Sequence, residues 1–284
     1  MPRTYNDLYM DARRALRNAD VSAGDLEARL LAAYAAEKTP EDFMRDITLY
    51  AATDTERKLR ELIARRLQGE PVAYITRSWE FYGLPLEVGP EVLIPRIDSE
   101  ILAGVAIRTL DKNREVRVLD LCAGSGCIGC AIARNVPGSK VVFAEVSLKA
   151  AEVLKRNVSS LGLAERCAVE IVDVRKPPPT TLGSFNIVVC NPPYIKRADL
   201  LKLDISVREY EPRLALDGGS DGLDYYRAVL AGWRSVIRDG GLLCFEVGAG
   251  MAEDVRKLMR LHGLRSIESH MDTLGIERVI TGKI

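Results

Sequence analysis

Val116-Arg117-Val118-Leu119-Asp120-Leu121-Cys122-Ala123-Gly124-Ser125-Gly126-Cys127-Ile128-Gly129 reads as strand, turn and the opening of a helix. Residues 116–121 form an apolar run of buried-strand length. Gly124 and Gly126 break it, and helical periodicity returns over 126–135. With Gly129 they match G-x-G-x-x-G, a spacing that lets backbone approach a nucleotide. Glu145 follows at the end of the next strand, where an acid can hold ribose hydroxyls.

The alternation continues on both sides of this turn. Strands are expected over 140–144, 169–172, 185–190, 241–247, 264–269 and 276–281, and helices over 148–161, 221–237 and 252–261. Such a chain builds an α/β fold, a mostly parallel, Rossmann-like sheet covered on both faces. Residues up to about 69 read as helices only. Thr39-Pro40 opens one of them, and Thr53 with Glu56 reads as the capping box of another, whose stripe is Leu59, Leu62, Ile63 and Leu67. Residues 69–75 read as an irregular connector, and 79–82 with 84–88 as a hairpin around Gly83. The expected organisation is a small helical domain over 1–69, a linker with a β-hairpin over 70–93, and the α/β domain over 94–284.

The strand over 185–190 runs into Asn191-Pro192-Pro193-Tyr194. Two prolines cannot continue a sheet ladder and hold their predecessors extended. A rigid ledge results at the carboxyl end of a strand, the edge where open α/β sheets bind ligands. A planar –NH2 group can donate one hydrogen bond to the Asn191 side-chain oxygen and one to the Pro192 carbonyl, with Tyr194 stacked on its plane. By itself the tetrapeptide reads equally well as a turn that ends a strand.

Composition bounds the alternatives. Hydrophobic residues make up 47% and charged residues 28%, ordinary for a globular protein, and formal net charge is zero, unlike a protein that grips phosphates. No apolar run is long enough to span a bilayer, and no apolar signal core follows the first residues, so a cytoplasmic location is expected. Cys127 and Cys130 form C-x-x-C, but no second ligand pair stands at zinc spacing, so no metal is assigned.

Two ligand classes compete for the glycine turn: a dinucleotide and S-adenosylmethionine. Asp120 favours the second, because a carboxylate repels a pyrophosphate and suits an ammonium group. Asp173 and Val174, after the third strand, are placed to meet an adenine.

Asp120 to Gly126 followed by Asn191 to Tyr194 resembles a class I S-adenosylmethionine-dependent methyltransferase acting on a planar amine or amide. More narrowly, the chain resembles the HemK/PrmC family, the peptide chain release factor glutamine methyltransferases. The likeness includes Gly69-x-Pro71-x-x-Tyr74-Ile75, Phe81-Tyr82-Gly83-Leu84 and Leu93-Ile94-Pro95-Arg96-x-Asp98-Ser99-Glu100. It continues through Glu211-Pro212-Arg213, Gly218-Gly219-x-Asp221-Gly222-Leu223, Glu246-Val247-Gly248 and Glu277-Arg278-Val279. Cys122 and Ala123 stand where the family usually has Gly and Thr, and Ile97 and Ser99 where it has Pro and Thr. The resemblance implies methyl transfer from S-adenosylmethionine to the glutamine amide of a Gly-Gly-Gln loop in a release factor. Asn191, Pro192 and Tyr194 would be catalytic. Asp120, Cys122, Ala123, Gly124, Ser125, Gly126, Glu145, Asp173, Val174 and Asn191 would hold the cofactor. The ledge with Pro193, and Arg96, Glu100 and Glu211 at the mouth, would hold the substrate. The partner is then a release factor, with no membrane or nucleic acid involved, and a monomer is expected. Rival readings are a methyltransferase for a ribosomal-protein glutamine or a nucleic-acid base, an inactive cofactor-binding docking module, and an NAD-dependent oxidoreductase, which Asp120 opposes.

Overall fold

A computed structural model describes residues 2–21 and 23–284. The chain forms two compact units. One runs up to Ser78 and includes Ile205–Tyr210; the other comprises Trp79–Asp204 and Glu211–Ile284.

The first unit is helical: α1 (Tyr5–Asn18), α2 (Gly24–Ala35), α3 (Pro40–Arg45), α4 (Thr53–Leu67) and α5 (Val72–Thr76). Leu16, Leu31 and Phe43 are fully buried at its centre, joined by Leu8 and Leu59. The capping box belongs to α1, not α4. The Thr4 hydroxyl accepts from the Asp7 N–H at 3.2 Å, and the Asp7 carboxylate accepts from the Thr4 N–H at 2.8 Å. On α4 the N-cap is Ala52, which puts Thr53 inside the first turn. Glu56 turns outward to Arg3 at 3.2 Å instead. Leu67, expected on the buried stripe of α4, is exposed. The expected connector over 69–75 contains α5, whose single turn is too short to show a period in sequence. The short α9 (Ile205–Arg208) belongs to this unit, and the Tyr210 hydroxyl donates to the Gln68 carbonyl at 3.1 Å.

From Ser78, the last residue of the first unit, the chain enters the hairpin of β1 (Ser78–Phe81) and β2 (Leu84–Glu87), the rest of which belongs to the second unit. Its two-residue turn, Tyr82-Gly83, has φ of 53° and 71°, the left-handed pair that matches strand twist. The remaining elements are α6 (Ser99–Thr109), β3 (Val116–Leu121), α7 (Cys127–Asn135), β4 (Ser139–Glu145), α8 (Leu148–Ser160), β5 (Cys167–Ile171), β6 (Phe185–Cys190), α10 (Asp224–Gly232), β7 (Ile237–Glu246), α11 (Ala252–Leu261), β8 (Arg265–Met271) and β9 (Glu277–Lys283). The sheet order is β5-β4-β3-β6-β7-β9-β8. β3 to β7 pair in parallel, and β9 enters antiparallel beside β7 and pairs with β8.

Successive residues of each strand face opposite sides of the sheet. Val118, Phe143, Ile187 and Val189 join the core under α6 and α7. Leu119, Ala144, Val188 and Cys190 join the core under α10 and α11. Both faces are dry, which is why these strands read as continuous apolar runs. The helix expected over 221–237 stops at Gly232. The indole of Trp233 is fully buried and donates to the Val174 carbonyl at 2.9 Å, which holds the chain out of helical register. Among the described residues no helix is long and apolar enough to cross a membrane.

Candidate active site

β3 and β6 are neighbours in the middle of the sheet, with Leu121 level with Cys190. The glycine turn and the proline ledge therefore leave the sheet side by side. The turn needs left-handed backbone at Cys122, Gly124 and Gly126, with φ of 58°, 54° and 79°. At Cys122 a side chain bears that conformation, at a cost of about 1–2 kcal/mol that glycine would not incur. Gly129 is required by packing: a Cβ there would lie 2.3 Å from the Phe143 ring and 2.9 Å from Asp120 Oδ2. Gly124 is different, since no heavy atom lies within 4 Å of where its Cβ would be.

That open space belongs to a cavity over the carboxyl ends of the strands. Its wall includes Cys122, Ala123, Gly124 and Ser125 of the turn, Glu145, Asp173 and Val174 beyond the next strands, and Asn191 and Pro193 of the ledge. Arg96 and Ser99 close one side. Glu91, Pro212, Leu214 and Tyr225 also line it, and sequence reasoning missed them. Glu91 adds a third acid whose Oε2 is buried without a partner among the described residues. The charged groups on the wall are thus Glu91, Glu145 and Asp173 against the single cation Arg96.

The acids are held in different ways. Glu145 accepts from the Gly124 and Ser147 N–H groups, both at 2.8 Å, and so fixes the glycine turn to the start of α8. Asp173 pairs with Arg175 at 2.9 Å, which holds its carboxyl below the usual range. Asp120 is not on the wall. β3 directs it beneath the turn, where Oδ2 accepts from the Gly129 N–H at 2.9 Å and Oδ1 has no partner among the described residues. Burial, with some help from the charge of Glu145, pushes its carboxyl up to about 7. The direct ammonium contact expected of Asp120 is absent from this geometry. Gly126 is also off the wall, pressed toward Leu154.

The ledge divides as well. Asn191 and Pro193 face the cavity, whereas Pro192 and Tyr194 are not on its wall. The Tyr194 ring packs close to Gly248, where a Cβ would come within 3.1 Å of it. Gly218 and Gly222 crowd the Tyr194 main chain, with hypothetical Cβ contacts of 2.7 and 2.4 Å. Those glycines clamp the ledge from behind. The Asn191 amide nitrogen donates to Ser99 Oγ at 3.1 Å.

Of the three residues expected at the mouth, only Arg96 lines the cavity. Glu211 is buried behind it, accepting from the Arg96 guanidinium and from the Ile94 N–H. Glu100 faces the hairpin, because the left-handed turn leaves the Tyr82 N–H needing an acceptor, and takes it at 2.7 Å. Cys127 and Cys130 are buried, and burial pushes both thiols well up, away from the reactive thiolate.

Known proteins align with this arrangement. Residues 7–76 match the family model "PrmC N-terminal domain", and 98–206 match "Methyltransferase small domain". A protein of Geobacter sulfurreducens named "Release factor glutamine methyltransferase" is 41% identical over 225 residues, covering 79% of this chain and 77% of its own length. One of the same name from Bradyrhizobium diazoefficiens is 33% identical over 272 residues, covering 94% and 91%. Among solved structures, the hMettl16 catalytic domain bound to the MAT2A 3'UTR hairpin 1 shares the fold, with a TM-score of 0.56 at 15% identity over 89% of this chain and 90% of that one. A methyltransferase sheet with the ledge beside its glycine turn, and relatives 33% and 41% identical over 94% and 79% of the chain, place the chain in the release factor glutamine methyltransferase family.

Proposed function

We propose that this protein moves a methyl group from S-adenosylmethionine to the side-chain amide nitrogen of the glutamine in the Gly-Gly-Gln loop of a peptide chain release factor. The observation that carries the reading is the orientation of Asn191 on the cavity wall. Its nitrogen is turned inward to Ser99, so its oxygen is the atom left for a ligand. An acceptor presented at that point selects a group that donates, as an amide –NH2 does.

The wall fits the donor. Three acids against one cation suit a ligand bearing an ammonium and a sulfonium, and disfavour a pyrophosphate. Glu145 would take the ribose hydroxyls, and Asp173 with Val174 would flank the adenine. Gly124 would let the ligand lie against backbone. When bound, S-adenosylmethionine supplies a methyl group on a cationic sulfur, which leaves neutral as the new N–C bond forms.

The chain's own residues make the nitrogen reactive. An amide lone pair is delocalised and a poor nucleophile. A hydrogen bond from one of its N–H groups to Asn191 Oδ1 favours the pyramidal nitrogen of the transition state. The two prolines that follow make this acceptor rigid, so little reorganisation is needed when charge develops. Holding both reactants in attack geometry lowers a barrier by about 7–11 kcal/mol in the best cases. The methylated nitrogen then gives one proton to solvent water, which leaves a neutral N-methyl amide.

Incubation with methyl-labelled S-adenosylmethionine and purified release factor tests the reading. Label is expected on the glutamine of the Gly-Gly-Gln loop, mapped by mass spectrometry. Label on nucleic acid, or on another residue of the release factor, would overturn it.

A further inference from the structure

Two walls of the active-site cavity come from stretches of chain that share no sheet. One wall, from Glu91 to Arg96, follows the hairpin, whose two strands form a sheet of their own. The other, from Cys122 to Ser125, follows β3 of the seven-stranded sheet. A side chain of α8 joins them. Asn157 is fully buried, and its Oδ1 accepts from the Glu87 N–H at 2.7 Å. Its Nδ2 donates to the Glu87 carbonyl and to the Ser125 carbonyl, both at 3.0 Å. Glu87 ends β2, just before the first wall begins, and Ser125 lies in the second.

The Ser125 carbonyl needs that donor. Gly126 is the N-cap of α7, and its carbonyl takes the Cys130 N–H at 2.9 Å, so Ser125 stands one residue outside the helix. Three backbone partners also fix which end of the amide is which. Flipped, it would set N–H against N–H and an oxygen against two carbonyls. Packing brings α8 within reach. Leu154 precedes Asn157 by one turn on the same helix face, and a Cβ on Gly126 would come within 2.9 Å of its Cγ. Arg156 holds the Glu87 carboxylate by two bonds of 2.9 Å, so consecutive residues of α8 grip the end of β2.

We propose that Asn157 is a positioning residue of the cofactor site. By tying the end of β2 to the glycine turn it sets the gap between the two walls, and so the affinity for S-adenosylmethionine. Asn157 is not itself on the wall, so it acts through Ser125 and through the segment that follows Glu87. The inference rests on the cofactor reading under Proposed function.

Linkage lets the wild-type protein report on the tie. If the closed tie raises cofactor affinity about tenfold, bound cofactor makes its opening about tenfold rarer. The Glu87 amide hydrogen is held by Asn157, so its exchange follows that opening. Read by NMR, it should slow by about tenfold at saturating cofactor, and unchanged exchange overturns the proposal. Asn157→Asp keeps the shape and the acceptor for Glu87 but sets an oxygen against the Ser125 carbonyl. By calorimetry its dissociation constant for S-adenosylmethionine should rise about tenfold or more. Val158→Ala, next along α8 and also buried, controls for lost stability. It should lower the thermal midpoint and leave cofactor affinity within about twofold. At saturating cofactor Asn157→Asp should regain kcat to within about threefold, with the release-factor KM unchanged. Wild-type affinity in Asn157→Asp, or an equal loss in Val158→Ala, overturns the proposal. Should Asn157→Asp fail to fold, exchange at Glu87 in the wild type decides. If the wild type does not bind S-adenosylmethionine, the cofactor reading fails and this inference with it. If it binds and Glu87 exchange is unchanged, only the tie fails.

Discussion

Asp120 sits at the end of the central strand with one hydrogen bond, from the Gly129 N–H, and one bare oxygen. Its folded-state carboxyl titrates at about 7, against about 3.9 for an aspartate in an unfolded chain. Between those values the folded protein keeps a proton that the unfolded chain has lost. Raising the pH through that window therefore removes stability; the contribution is whole below about pH 4 and gone above about pH 7. Asp120→Asn abolishes this dependence while preserving an acceptor for Gly129. The variant should gain on the wild type as pH rises from about 4 to 8, by an amount on the order of a few kcal/mol. Glu246 shifts in the same direction but is present in both proteins and cancels in the difference. Urea unfolding at matched pH values measures it, and parallel curves for the two proteins would refute the buried, proton-holding Asp120.

The helix starts show where sequence patterns and structure part company. Thr53-x-x-Glu56 fits the capping-box pattern, yet the chain enters α4 one residue earlier, at Ala52. Thr4-x-x-Asp7 lacks the Glu or Gln of that pattern, yet its short carboxylate closes the box on α1. Thr4→Ala should cost about 1 kcal/mol, whereas Thr53→Ala should change stability by less than about 0.5 kcal/mol. Chemical denaturation of the two variants decides it, and equal losses would return the cap to Thr53. The inner strands β3, β4 and β6 were legible because they are largely buried on both faces and read as nearly continuous apolar runs. The glycine turn and the proline ledge were legible because their chemistry lies within a few consecutive residues. Ser99 was not legible as the partner of Asn191, because nothing local records that the start of α6 meets the end of β6.

The two units differ in what a ligand can stabilise. Every residue on the wall of the active-site cavity belongs to Trp79–Asp204 or Glu211–Ile284. The helical unit has its own core of Leu8, Leu16, Leu31, Phe43 and Leu59. A ligand stabilises the state that binds it by about 2.7 kcal/mol at a concentration 100 times its dissociation constant. That gain reaches only amides whose exchange requires opening the unit that holds the site. S-adenosylmethionine should therefore slow hydrogen exchange in the glycine turn, β3, β4 and β6, and leave α1, α2 and α4 unchanged. Ile205–Tyr210 supplies the sharp part of the test. It is flanked on both sides by residues of the larger unit, yet Ile205 packs by Gly69 and Tyr210 bonds to Gln68. Its amides should follow the helical unit and ignore the ligand, while Pro212 to Ala215, beside the cavity, should respond. Exchange followed by mass spectrometry with and without S-adenosylmethionine reads this peptide by peptide. Protection that spreads evenly into α1 to α4 would mean that the chain opens as one cooperative body and that this division is wrong.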